Sequence, residues 1–252
     1  MFLNISYQLI NNIMIDSLLE WDREMLVFLN MSGKHTVFLD FFMWMVTQTI
    51  IWLPAFLTFF YVVVKDKKRE ALLIVGVTIL LFLLCDQISS SIIKPLVARP
   101  RPGKDPLVMN LLQYVNNYRG GMYGYLSSHA TNTFGFAIFS SMLFKYRWYS
   151  VIVFLWAALS SYSRLYLGVH FPLDIISGML LGLLIGLFCY WLYRRTKRFI
   201  PQTDIGSSKN NIVLTGYTKS GFSVKGIWLS LYSLMVTLFC IVCFALQMRK
   251  FF

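Results

Sequence analysis

The sequence predicts an all-α, polytopic membrane protein: six transmembrane helices preceded by an N-terminal interfacial helix. Three observations predict it. Apolar residues make up 57% of the 252-residue chain and charged residues only 13%, against about 25% in soluble domains. Several apolar stretches exceed the roughly 18 residues that mark a bilayer-spanning helix. The cations behind the +12 net charge cluster between these stretches, a pattern of membrane orientation and anion binding rather than nucleic-acid binding.

The elements follow in order. Residues 1–33 read as an interfacial segment. Within it, DSLLEWDREMLVFLN gives an amphipathic helix opened by a Ser17–Glu20 capping box, with Leu18, Trp21, Met25 and Phe28 on one face. The charges Asp22, Arg23 and Glu24 place it on the membrane surface rather than across it. A first span covers about 37–64, with Pro54 as a kink. The charged turn KDKKRE leads to a second span over 71–93.

A long connection, 94–126, follows. Loops of this length are uncommon and often functional. Within it, Asp105 as N-cap and Pro106 at the first helical position predict a surface helix that shapes lipid access, with Leu107, Leu111, Tyr114, Val115 and Tyr118 on one face. RGGMYG then reads as a flexible hinge. The third span begins near Ser128 and ends before KYRWY, the fourth covers 149–162, and the fifth runs from Pro172 to RRTKR. A polar connection, 199–225, precedes the last span, 227–247. No cleavable leader is expected, because MFLNISYQLINNIMI lacks a basic start and a small-residue cleavage site.

Cations concentrate after spans one, three and five and before span six, which makes those faces cytoplasmic. The connections after spans two and four then share the outer face. Three motifs emerge there: KPLVARPRP, YLSSHA and SRLYLGVHFPLD.

Together these motifs read as an anion site. Lys94, Arg101 and Arg164 offer three cations, two with bidentate forks. Ser127 and Ser128 open a helix whose first N–H groups face free space. A phosphate or an analogue suits such a pocket. His129 and His170 supply proton transfer or nucleophilic attack near neutral pH. Asp174, four residues after His170, can fix its tautomer. No Cys, Glu or Asp cluster in these loops points to a metal, and no cofactor is expected. His35 reads as structural. Cys85, Cys189, Cys240 and Cys243 read as inert buried thiols. Asp86, a carboxylate within a span, is expected to pair with a site cation or another helix.

The motifs resemble the phosphatidate phosphatase type 2 superfamily, which also includes vanadium haloperoxidases and bacterial acid phosphatases. Its signature is K-x(6)-R-P, then P-S-G-H, then S-R-x(5)-H-x(3)-D. Lys94, Arg101 and Pro102 match the first part; Ser163, Arg164, His170 and Asp174 match the third. In the middle part Ser127 and His129 match, whereas Leu126 replaces proline and Ser128 replaces glycine. The resemblance implies one phosphatase domain over 1–252 with its motif-bearing core at 94–174. It implies His170 as nucleophile, Asp174 as its orienting group, and His129 as acid and then base. Lys94, Arg101, Arg164, Ser127 and the N–H groups near Ser128 would hold the phosphoryl oxygens. The implied substrate is a membrane lipid phosphate, hydrolysed without metal at the outer face of a bacterial inner membrane.

Undecaprenyl diphosphate ranks first, lipid A second, phosphatidylglycerol phosphate or phosphatidate third. Arg99, Lys104 and Arg119 either accommodate a second phosphate or face lipid headgroups. Vanadate-dependent halide oxidation and a non-catalytic membrane role are the alternatives of another class.

Overall fold

The computed structural model describes residues 2–200 and 216–249, and among these every regular element is helical. Nine α-helices follow in order: α1 Phe2–Asn30, α2 Val37–Thr47, α3 Leu53–Asp66, α4 Ala71–Asp86, α5 Lys94–Val97, α6 Ser128–Phe144, α7 Arg147–Tyr166, α8 Pro172–Thr196 and α9 Val224–Met248. Among the described residues, four helical stretches are long and apolar enough to cross a membrane: Thr49–Asp66, Ala71–Val97, Pro172–Phe199 and Val224–Met248.

The core is built around α6. Ala130, Ala137, Phe139 and Phe144 are buried there against Phe59, Leu81, Trp156, Cys189 and Ile227 from four neighbouring helices and the 224–248 helix. The packing of α6 on α8 is the tightest, and glycine explains it. Gly178, Gly182 and Gly186 recur every four residues along one face of α8. A Cβ at Gly182 would stand 2.3 Å from the Thr131 carbonyl oxygen, and one at Gly178 would stand 2.5 Å from that of Ser127. Only a bare backbone permits this approach, the small-residue device of membrane helix pairs. The outer surface is the reverse: Leu72, Leu83, Leu184, Trp191, Val236 and Phe239 all face outward. So large an apolar exterior suits hydrocarbon rather than water.

The expected first span, 37–64, is instead two helices. The chain leaves helical geometry at Gln48 (φ −79°, ψ 113°) and passes through a 3-10 turn, Thr49–Trp52, before α3 begins. Pro54 does not kink a helix. It is the second residue of α3, where its missing N–H costs nothing. The second span continues unbroken from α4 through a π-helical segment, Gln87–Ile93, into α5.

Helix α1 runs straight through Ser17 and Glu20, so the expected capping box does not open it. Its inward face is Asp22, Leu26 and Asn30, spaced four apart, while Leu18, Trp21 and Phe28 face outward. The expected surface helix after Asp105 does not form. The Asp105 carboxylate accepts from the Leu107 N–H at 3.0 Å as a cap would, but only turns and one 3-10 stretch, Val115–Asn117, follow. Asn30 interrupts propagation: its side-chain Nδ2 donates to the Gln113 carbonyl and its Oδ1 accepts from the Gln113 N–H. Val108, Leu112 and Val115 point inward, whereas Leu107 (65% exposed) and Leu111 (54%) point out.

RGGMYG is a built turn rather than a free hinge. The Arg101 N–H donates to Met122 and the Gly124 N–H to Arg99, pairing this stretch with the first motif. His35 is structural: its ring stacks on Tyr166 at 4.2 Å and bonds Asp40 and the Asn30 carbonyl, each at 2.7 Å. Cys85 and Cys189 are buried, but Cys240 and Cys243 are exposed on the outward side of α9. Of the polar connection 199–225, residues 201–215 lie outside the described residues. At its end, Ser223 caps α9 and Asp66 accepts from the Ser223 N–H at 2.8 Å.

Candidate active site

The three motifs meet at one end of the bundle. Four features build the meeting point.

First, the continuous α4–α5 rod delivers Lys94. Its Nζ donates to the Ser128 Oγ at 2.6 Å. Ser89 and Ser90, on the π-helical segment, also reach that oxygen, each at 2.8 Å. Ser90 in turn donates to the Asp86 carboxylate at 3.2 Å. Asp86 therefore has no ion pair among the described residues, contrary to expectation; it is linked to Lys94 through two hydroxyls. Ser128, the residue where the family has glycine, thus anchors Lys94 by its side chain as well as opening α6.

Second, Ser127 is fully buried as the N-cap of α6. Its Oγ accepts from the Ala130 N–H at 3.4 Å, and its own N–H donates to the Asp174 carbonyl at 3.0 Å. His129 lies in the first turn. Its Nε2 lies 2.9 Å from the Thr47 carbonyl oxygen. A carbonyl only accepts, so this nitrogen carries the proton and Nδ1 is left to exchange one. The Thr47 carbonyl is open because α2 ends there.

Third, Arg164 is buried near the end of α7. It donates to Thr47 Oγ1 at 2.6 Å and stands against the Tyr118 phenol, while its Nε–H has no partner. A buried guanidinium with an unspent donor is what an incoming anion needs. Thr47 and Tyr118 were missed as parts of this site. The polar island TQT inside an apolar run was a usable signal for Thr47. Tyr118 carried none.

Fourth, His170 lies between α7 and α8, and Asp174 lies in the first turn of α8. Asp174 Oδ2 accepts from the Phe171 N–H at 3.0 Å and lies 3.4 Å from His170 Nδ1. A carboxylate only accepts, so Nδ1 carries the ring proton and Nε2 presents its lone pair. Arg101 Nη1 stands 3.5 Å from that Nε2. Arg101 is itself fixed by donating to the Tyr123 and Val169 carbonyls. Gly120, at φ +70°, lets the chain pass where a Cβ would stand 2.6 Å from the Arg101 Nη1. Burial first, then the charges of Arg101, Arg164 and Lys94, hold the His170 imidazole well below the ordinary histidine range.

Arg99 departs from both expectations held for it. Its guanidinium donates to Asp174 Oδ1 at 3.1 Å and to Asp22 Oδ2 at 2.6 Å, and lies 4.1 Å over the Phe171 ring. Its charge is engaged by two carboxylates within the protein. Lys104 and Arg119 are exposed, and Arg119 lies over the Tyr114 ring.

A buried, oriented imidazole beside three cations, at the end of an apolar helical bundle, fits an integral-membrane phosphoric ester hydrolase. The chain belongs to the PAP2 superfamily, whose family model matches residues 71–198. Among its relatives, a lipid A 4'-phosphatase of Porphyromonas gingivalis is 39% identical over 186 residues, 73% of this chain and 78% of that protein. Another lipid A 4'-phosphatase, of Bacteroides thetaiotaomicron, is 38% identical over 195 residues, 76% of this chain and 86% of that protein. An undecaprenyl-diphosphatase of Sulfolobus acidocaldarius is 28% identical over 134 residues, 52% of this chain and 58% of that protein.

Proposed function

We propose that this PAP2 lipid phosphatase removes a single phosphate from lipid A through a phosphohistidine at His170. The observation that carries the chemistry is the geometry around that ring: Nδ1 toward Asp174, and Nε2 open toward Arg101. Nε2 attacks phosphorus and the bond to the leaving oxygen breaks. His129, protonated at Nδ1, gives its proton to that oxygen. The same nitrogen then takes a proton from water as the water attacks phosphorus and breaks the P–N bond. Lys94, Arg101 and Arg164, with Ser127 and the N–H groups at the start of α6, hold the phosphoryl oxygens through both steps.

Two things support lipid A over undecaprenyl diphosphate, which the sequence alone ranked first. Arg99, one of three cations available for a second phosphate, is consumed by two carboxylates. The two relatives at 38% and 39% identity are both lipid A 4'-phosphatases. The diphosphate remains the second reading, because Lys104 and Arg119 are exposed beyond the motif and one relative is an undecaprenyl-diphosphatase.

The same reading places the protein in a bacterial inner membrane with the site outward. All of α6, α7, α8, α9, the α4–α5 rod and the 37–66 pair cross the bilayer, six crossings in all, with α1 at the interface. Its exposed Leu18, Trp21 and Phe28 then meet lipid.

The test is phosphate release by purified protein in detergent with EDTA present. Lipid A, undecaprenyl diphosphate, phosphatidylglycerol phosphate and phosphatidate are compared, with His170→Ala as control. Release from lipid A, lost in the variant, is the expected result. Faster release from undecaprenyl diphosphate moves the assignment to that lipid. No release, with halide oxidation on adding vanadate and peroxide, would replace the hydrolase reading altogether.

A further inference from the structure

Helix α1 lies outside the stretch matched by the family model, residues 71–198, yet it reaches the centre of the site. Asp22 is 0% exposed. Its Oδ2 accepts from Arg99 at 2.6 Å and its Oδ1 accepts from the Leu173 N–H at 2.8 Å, in the first turn of α8. Arg99 spans the gap between Asp22 and Asp174, one nitrogen to each. The next residue, Arg23, grips Asp105 at 3.0 Å, on the far side of the first motif.

We propose that Asp22 is a positioning residue: through Arg99 it fixes Asp174, and so the aim of His170, and it sets the charge of the phosphate cradle.

Two consequences of the geometry carry this. The first is orientation. Arg99 occupies Asp174 Oδ1, so Oδ2 alone is left for the His170 Nδ1–H and the Phe171 N–H. Without Asp22, Arg99 is held only by Asp174 and the Phe171 ring, and the carboxylate is free to rotate with it. The second is charge. Lys94, Arg99, Arg101 and Arg164 bring four positive charges to this end of the bundle, and Asp22, Asp174 and, through Ser90 and Ser128, Asp86 bring three negative ones. The balance is positive, as an anion site requires, and Asp22 lowers it by one charge. Removing the Asp22 charge makes the cradle more positive by one charge. It should then hold inorganic phosphate, the product, more tightly while turning over more slowly.

The proposal rests on the phosphatase reading, and its test separates the two. Purified full-length wild type, Asp22→Asn, Asp22→Glu and Arg23→Gln are compared for kcat, KM, the pH dependence of kcat/KM, and inorganic phosphate binding by calorimetry. For Asp22→Asn we expect kcat to fall by up to about a hundredfold, the scale of a small misplacement at a reacting centre. KM should not rise, phosphate should bind more tightly, and the acid limb should move to lower pH. Asp22→Glu restores the phosphate affinity and the limb. Arg23→Gln, which leaves Asp22 and Arg99 untouched, turns over like wild type. A folding defect alone lowers the active fraction and moves neither phosphate affinity nor the limb. Unchanged affinity and limb in Asp22→Asn would overturn the proposal, whatever happens to kcat. If wild type released phosphate from no lipid, the phosphatase reading would fail, and phosphate calorimetry on Asp22→Asn would still decide the charge role.

Discussion

A histidine attacks phosphorus only when it is neutral, and His170 sits where protonation is opposed. Burial and three nearby cations lower its pKa, so the proton leaves at a lower pH than from a free imidazole. The active, unprotonated form is lost only as pH falls through that lowered value. The acid limb of kcat/KM assigned to His170 is therefore expected below about 6.5, the ordinary histidine value. A titration showing that limb above 6.5 would contradict the account. Ser128 allows a second test. Ser128→Ala keeps the backbone N–H but removes the hydroxyl that anchors Lys94 at 2.6 Å. A hydrogen bond to a charged group contributes about 1.5–3 kcal/mol, so kcat/KM should drop at least about tenfold, and wild-type kinetics would show the anchor to be idle. At this scale the spaced motifs made Lys94, Arg101, Arg164, His129, His170 and Asp174 legible. Asp22 was not, and Thr47 offered only the unread TQT island. Folding brings Asp22, through Arg99, to Asp174 and Thr47 to His129.

Helices were legible where a long apolar run had unambiguous ends, as for α8 between Pro172 and the RRTKR cluster. They were not where a local signal competed with a tertiary one. Asp105 and Pro106 promise a helix, but Asn30 takes both the N–H and the carbonyl of Gln113 for α1. The 37–64 run reads as one span because hydropathy does not see the break at Gln48, whose purpose is to open Thr47 toward His129 and Arg164. The glycine face of α8 went unread for another reason: its meaning depends on which helix lies opposite. It makes a clear prediction. Gly182→Ala puts a Cβ within 2.3 Å of a backbone oxygen, so α6 and α8 must separate. Overpacking of this kind costs about 1–3 kcal/mol, and better helix propensity returns only about 1. Thermal unfolding in detergent should occur several degrees lower, with reduced turnover as His129 retreats from His170. An unchanged melting temperature would show that the contact relaxes freely.

The whole molecule has two chemically different ends. One gathers Asn30, Thr47, Lys94, Arg101, Arg164, His170 and Asp174. The other joins Glu70 to Tyr193 and Lys197, and Phe144 to Ser220, amid the lysine and arginine clusters. In the proposed orientation, which follows the positive-inside rule, the second end faces the cytoplasm. In intact cells, a membrane-impermeant maleimide should label Lys104→Cys more than the parent chain and leave Lys68→Cys at the parent level. The reverse pattern would invert the topology. The fold class was readable from composition because the outer surface must match hydrocarbon. The span count was harder: α6 and α7 carry buried serines and threonines that lower their hydropathy, since their faces pack against protein.

The central claim is covalent chemistry at His170, and trapping the intermediate tests it most directly. Wild-type protein is mixed with phosphate-labelled lipid in EDTA, quenched with base within the first turnovers, and mapped by mass spectrometry. The account predicts a phosphoryl group on His170, stable in base and lost in acid, and none in His170→Ala. Turnover with no phosphoryl group on His170, or phosphate carried by another residue, would contradict it.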